Sequence, residues 1–207
     1  MFRQRFSPVF ARIGVAAAAV LVVAACAPAA RMQAGSSQPD RSRPSSSTSA
    51  PVESAAPACP SATLAIQPGP PLSPQTGEHG VILAVSSTSP TPCTVSGYPT
   101  VTFLRGKTPI PFVYLEGKGQ YVTHQAPAPV TVGAGAAAYF LVAKYRCDVG
   151  DAEQSDGATV TLTHSGSVHA IPGSWLSGLF SLCSGNADPG NTVAVSPFEP
   201  SVRLLSS

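Results

Sequence analysis

From Ala58 to the carboxyl terminus, glycine and proline interrupt the chain so often that the runs between them suit strands better than helices. Runs rich in β-branched and aromatic residues fall at 63–67, 80–87, 100–105, 111–115, 120–124, 130–132, 136–145, 158–164, 168–171 and 192–196. Val81-Ile82-Leu83-Ala84-Val85 is apolar without interruption, which predicts a central strand covered on both faces, and Tyr139-Phe140-Leu141-Val142 repeats the pattern. Thr159 to Thr163 alternates with period two, so one face meets solvent. Residues 172–180 suit a short helical turn around Trp175. No glycine–serine break divides 58–207, which therefore reads as one all-β domain, a β-sandwich.

What precedes the domain predicts where it is delivered. Residues 1–12 carry Arg3, Arg5 and Arg12 and no acid, and an apolar run follows to Ala25. That order is the pattern of a secretory signal, and the run is too short to span a bilayer before Pro28 and Arg31. It ends at Val23-Ala24-Ala25-Cys26, small residues before a cysteine, as lipoprotein signal peptidase requires. The expectation is a signal peptide over 1–25 and a diacylglyceryl thioether on Cys26, which becomes the first residue of the mature chain. Two acyl chains suffice for stable anchoring.

Residues 26–57 then hold the lipidated cysteine and a serine, proline and alanine linker. It lacks the large apolar side chains needed to offset ordering entropy. As a flexible coil it reaches about 30 Å.

Net charge is +2 for the whole chain, but the basic excess belongs to the signal and linker. From Ala58 onward six cationic side chains face eight carboxylates, a net of −2, and no basic cluster exists. The footprint of a nucleic-acid-binding protein is missing.

Apart from Cys26, the cysteines are Cys59, Cys93, Cys147 and Cys183. Four in an exported domain predict two disulfides, with three connectivities open. Cys59–Cys93 and Cys147–Cys183 is the favoured pairing. Each pair closes a loop of about 35 residues, worth roughly 3–4 kcal/mol. No pair has the Cys-x-x-Cys spacing of a zinc site.

Cys93-Thr94-Val95-Ser96-Gly97-Tyr98-Pro99 resembles the Cys-Thr-Leu-x-Gly-Tyr-Pro signature of an actinobacterial extracytoplasmic lipoprotein family, domain of unknown function 4232. Cys59 at the domain's start, the apolar strand before Cys93 and the close at Val193 to Phe198 extend the likeness over about Cys59 to Pro200. The resemblance implies an immunoglobulin-like sandwich outside the cytoplasm, often lipid-anchored. It brings no activity and no catalytic residues. Gly97 also has a plain structural reading as a turn residue, and Pro99 holds Tyr98 extended as a strand begins.

Few constellations carry chemistry. If Gly166-Ser167 forms a two-residue turn, His164 and His169 face each other with Cβ atoms about 5 Å apart, the start of a metal site. Asp148, Asp151, Glu153 and Asp156 crowd one loop, but an EF-hand needs its bidentate acid where Leu162 stands. No Gly-x-Ser-x-Gly elbow, phosphate loop or dinucleotide fingerprint occurs. A blue-copper set is short of a methionine, since Met1 and Met32 precede the domain. Tyr114 and Tyr121, near the Gly117-Lys118-Gly119 turn, and Trp175 are candidate contact residues as well as candidate core.

The expectation is a non-enzymatic envelope lipoprotein, anchored to the outer face of the membrane through Cys26, that binds a protein, glycan or lipid and uses no cofactor. The alternatives are a hydrolase whose site forms only in space, and a metal binder using His164 and His169.

Overall fold

The computed structural model describes residues 56–72, 77–119, 121–162, 166–176 and 178–206. The signal, Cys26, the linker to residue 55, and His164 lie outside them.

The fold is all-β. The first main sheet contains β1 (Leu64–Pro68), β2 (Glu78–Ser87), β6 (Val113–Glu116), β8 (Ala138–Tyr145) and β13 (Thr192–Val195), in the order β1-β2-β8-β13-β6. Its pairings are antiparallel except β13 with β6. The second contains β4 (Thr100–Arg105), β5 (Thr108–Pro109), β10 (Gly157–Thr161) and β11 (Val168–Pro172), ordered β11-β10-β4-β5. Two small ladders join β3 (Cys93–Val95) to β7 (Val130–Val132) and β9 (Asp151–Gln154) to β12 (Ser181–Cys183). A short helix, α1 (Gly173–Leu176), contains Trp175.

Both main sheets contribute to one core. Leu83, Val85, Phe140, Val142, Val193 and Val195 come from the first, and Val101, Phe103, Ala158 and Val160 from the second. Phe103 and Phe180 stack at 4.3 Å between ring centroids at the middle of it. The architecture is therefore sandwich-like, with side chains of facing strands interdigitating.

The first sheet is also covered on its outer face. There Ile82, Leu141, Ala143 and Ala194 meet Val122 and Leu205, delivered by the segment after Gly119 and by the carboxyl-terminal turn. Cover on both sides explains why β2 and the middle of β8 are apolar without alternation.

Two expectations are corrected. Residues 120–124 do not form a strand in the part described. The segment crosses over the outer face, and Thr123 donates its N–H to Leu205 O instead of joining a ladder. The β10–β11 hairpin does not turn at Gly166-Ser167. Thr161 pairs with Val168, which places His169 opposite Val160.

The disulfides are Cys59–Cys93 and Cys147–Cys183. The first holds the amino-terminal segment beside β3, where Cys59 N–H also bonds Thr94 O. Cys93 itself lies in this short strand. The second links the chain just after β8 to the end of β12.

Candidate functional site

The strongest site lies on the outer face of the first sheet, at the end where β2 begins and β8 finishes. Glu78 pairs with Tyr145 across β2 and β8, so the two side chains leave the sheet on one face. Gly77, at φ 80°, precedes Glu78, and a Cβ there would press on the Tyr145 ring at 3.3 Å. Gly77 thus lets the tyrosine lie flat along the strand's entry.

Tyr121 closes the site from above. Its hydroxyl is hydrogen-bonded to that of Tyr145 at 3.1 Å, and their rings lie 5.9 Å apart, tilted by 53°. Among the described residues it is the one non-glycine with positive φ, 73°. Val122, the next residue, is fully buried in the outer cluster, and Thr123 is tied to Leu205. These anchors hold Tyr121 in a left-handed conformation that side chains otherwise avoid. Strain of this kind persists where surrounding structure imposes it, and it concentrates at ligand sites.

Glu78, Tyr121, Tyr145, Ala143, Ala194 and Pro189 are among the residues lining a cavity of about 240 Å³. Glu78 Oε1 is buried and has no hydrogen-bond partner among the described residues. Burial pushes the Glu78 carboxyl up to about 7. The Tyr121 hydroxyl is pushed up to about 12, first by its bond to Tyr145, then by burial and by the nearby Glu78 and Tyr145 charges.

Burial is the cause of the Glu78 shift, with no lysine charge offsetting it. Lys144 also borders the cavity, but its ammonium donates to Tyr145 O at 2.7 Å and lies in the field of Asp151 and Asp188. Burial lowers the Lys144 pKa, and those two carboxylates oppose the shift. Burial alone would raise Asp188. Three backbone N–H groups, from Gly190, Asp148 and Val149, together with Lys144 hold it below its usual range.

The other sequence candidates scatter. Trp175 is half-buried on α1 and borders a second cavity of about 240 Å³ with Pro68, Pro70, Pro71 and Leu72. Tyr114 packs against the core, and its hydroxyl accepts from Phe103 N–H at 3.1 Å. Tyr114 and Tyr121 therefore do not share a ligand face: the first belongs to the inner core, the second to the outer cover. Ile110 and Phe112 are core residues too.

His169 Nε2 lies 3.1 Å from Ser167 Oγ. Among the described residues no group of three or more His, Cys, Asp or Glu is placed to hold a metal ion. The acidic segment after Cys147 is structural: Asp151 to Gln154 form β9, Asp156 accepts from Gly106 N–H at 2.9 Å, and Glu153 meets Arg105 at 3.7 Å.

Sequence reasoning missed Glu78 and Tyr145. Each ends an apolar run and looks like a solvated strand terminus, and only the register brings them together.

The Cys-Thr-Val-Ser-Gly-Tyr-Pro segment is used structurally. Cys93 is in a disulfide, Gly97 turns at φ 85° and its carbonyl accepts from Phe198 N–H, and Tyr98 lies under Gly117. No curated protein and no solved structure matches the chain significantly. The family model described as domain of unknown function DUF4232 matches residues 59–199, most of the chain and nearly all of the folded part. The chain belongs to the DUF4232 family.

Proposed function

We propose that the protein is a lipoprotein of the cell envelope, held at the outer face of the membrane by a diacylglyceryl thioether on Cys26, and that its domain acts by binding rather than catalysis. The run 1–25 and the small residues before Cys26 support the anchor. Two paired disulfides in a domain of this size suit an oxidising compartment.

One observation carries the binding reading. Glu78, whose Oε1 is buried and has no hydrogen-bond partner among the described residues, lines a cavity together with Tyr121, which is held at positive φ. A buried acceptor without a partner costs about 1–3 kcal/mol, a cost a ligand donor removes. The described lining holds Thr192, Lys144 and Glu78 but no serine, cysteine or histidine, so a Ser–His or Cys–His pair is not assembled among these residues.

Intact-mass analysis of membrane-fraction protein tests the anchor: loss of residues 1–25 and a diacylglyceryl adduct on Cys26 are expected, and an unmodified cysteine overturns it. Native mass spectrometry of protein isolated from its own cells tests the binding. A small molecule retained by the wild type and lost from Tyr121→Ala is expected. A ligand-free wild type, or retention equal in both, counts against this site.

A further inference from the structure

We propose that the cavity between Glu78, Tyr121 and Tyr145 selects a small organic cation, an alkylammonium group whose N–H bonds reach the Glu78 carboxylate while its charge lies against the two tyrosine rings. This deepens the binding reading above and rests on it.

The geometry supplies complementary parts. Among the described lining residues Glu78 is the one acid, and the Lys144 ammonium, also at the lining, is engaged by the Tyr145 carbonyl at 2.7 Å. Tyr121 and Tyr145 pack on each other, centroids 5.9 Å apart and planes at 53°, and both line the cavity. A cation within about 6 Å of such ring centres is attracted by the negative ring faces, more strongly as water is excluded. Ala143, Ala194 and Pro189 give the lining apolar surface for an alkyl stem. Gly119 lies over this face, where a Cβ would meet Ala194 Cβ at 3.1 Å, so the covering loop runs close and bounds the volume. An anion would meet the Glu78 charge. A neutral alcohol would satisfy the oxygen but leave the ring faces without a cation.

Charge selection couples to pH. Burial keeps Glu78 protonated to about 7, and only its ionised form attracts a cation. Ligand entry therefore expels the carboxyl proton to solvent, and affinity rises with pH. The charged and titratable neighbours are few. Tyr121 on the covering loop, its hydroxyl pushed up to about 12, stays protonated in this range, and Tyr145 on β8 is its hydrogen-bond partner. His124 Nε2 lies on Gly119 O, 2.9 Å away, on the covering loop. His79 and Lys144 pair across the register, so their side chains start from the opposite face of the sheet, although Lys144 still borders the cavity. Arg146 follows β8, with its N–H on Gly77 O.

Calorimetric titration of the full folded chain with n-butylammonium and with 1-butanol, at pH 5.5 and 8.5, tests this. At the higher pH the cation should bind about tenfold more tightly than the alcohol, the fold-change equivalent to one good charge contact. At the lower pH its affinity should fall roughly thirtyfold, the ionised fraction of a group titrating near 7. Glu78→Gln should erase both the preference and the pH dependence. Because that variant keeps the side chain's shape, an unchanged circular dichroism spectrum separates lost binding from lost fold. Nα-acetyl-lysine methylamide distinguishes the source of the ammonium: tighter binding than butylammonium assigns a protein lysine, weaker binding a free amine. Equal binding of alcohol and cation overturns the cation assignment and leaves a binding cavity. No binding of either probe also overturns it. If, in addition, native mass spectrometry finds no retained molecule, the binding reading falls with it.

Discussion

The hydroxyls of Tyr121 and Tyr145 lie 3.1 Å apart, and Tyr121 reaches its partner from left-handed backbone, φ 73°. The contact joins the loop covering the first sheet to the end of β8. It also raises the Tyr121 ionisation to about 12, because a phenol sharing its proton with a neighbour resists losing it. Alkaline titration followed by phenolate absorbance should show one tyrosine ionising late. Tyr145→Phe should return it toward the ordinary value of about 10. A late tyrosine that persists in Tyr145→Phe would remove the hydrogen bond as the cause.

Glu78 sets a pH dependence of stability with a definite sign. Its folded pKa is raised from 4.5 to about 7, so across that window the folded state holds a proton that the unfolded state has released. Stability is therefore greatest below the window, falls as pH rises through it, and stays reduced above. Glu78→Gln cannot ionise, and its melting temperature should fall less between pH 5 and pH 8 than that of the wild type. Glu199, also raised by burial, contributes a loss of the same sign, and His79, lowered first by burial and then by Lys144, one of opposite sign. Both are common to the two proteins, so the difference between melting curves isolates Glu78. Parallel pH profiles would show that the carboxyl is not buried in solution.

The same pair of strands shows what the sequence does and does not reveal. Val81 to Val85 reads as central because both faces of β2 are covered, and no other context produces an uninterrupted apolar strand so readily. The disulfide pairing is the favoured one of the three connectivities that the sequence leaves open. Asp151-Ala152-Glu153-Gln154 has poor β propensity and forms β9 because β12 lies beside it, next to the Cys147–Cys183 link. Tyr121 was visible as an aromatic near a glycine turn. Its place in the cavity was not, since Glu78 and Tyr145 meet it only through register and a crossing loop.

The disulfides should differ in where their loss is felt more than in how much. They separate residues by 34 and 36 positions, and either Cys→Ser pair should cost roughly 3–4 kcal/mol by the loop-entropy argument. A urea titration of each double variant measures this. Without Cys147–Cys183 the small β9–β12 ladder loses its brace, so its amides should exchange with solvent before those of β2 and β8. Uniform exchange across both sheets would mean the ladder is not a separate unit.

Phe103 should be among the costliest single truncations. It is fully buried, stacks on Phe180 at 4.3 Å and meets Phe112 edge-on at 5.6 Å. Phe103→Ala removes the ring from the junction of β4 with both neighbours and should cost about 3–5 kcal/mol. Phe103→Leu, which keeps most of the volume, should cost distinctly less. Similar losses for the two would place the energy in the ring stack rather than in filled space.

Gly117 and Tyr98 connect the family signature to the covering loop, and a double-mutant cycle separates two reasons for the glycine. Gly117 sits at φ 58°, so Gly117→Ala faces a conformational cost of about 1–2 kcal/mol whatever lies nearby. Its new Cβ would also collide with the Tyr98 hydroxyl. Tyr98→Phe removes that oxygen while keeping the ring. Gly117→Ala should therefore destabilise the wild type more than it destabilises Tyr98→Phe, where the hydroxyl collision is gone and the conformational cost remains together with the tight approach of the ring carbons at 2.9 and 3.0 Å. The comparison uses differences in unfolding free energy, so any cost of losing the Tyr98 hydroxyl cancels. An equal cost in both backgrounds would mean that Tyr98 moves aside freely and that backbone conformation alone selects the glycine. A larger cost in the Tyr98→Phe background would contradict the steric contact outright.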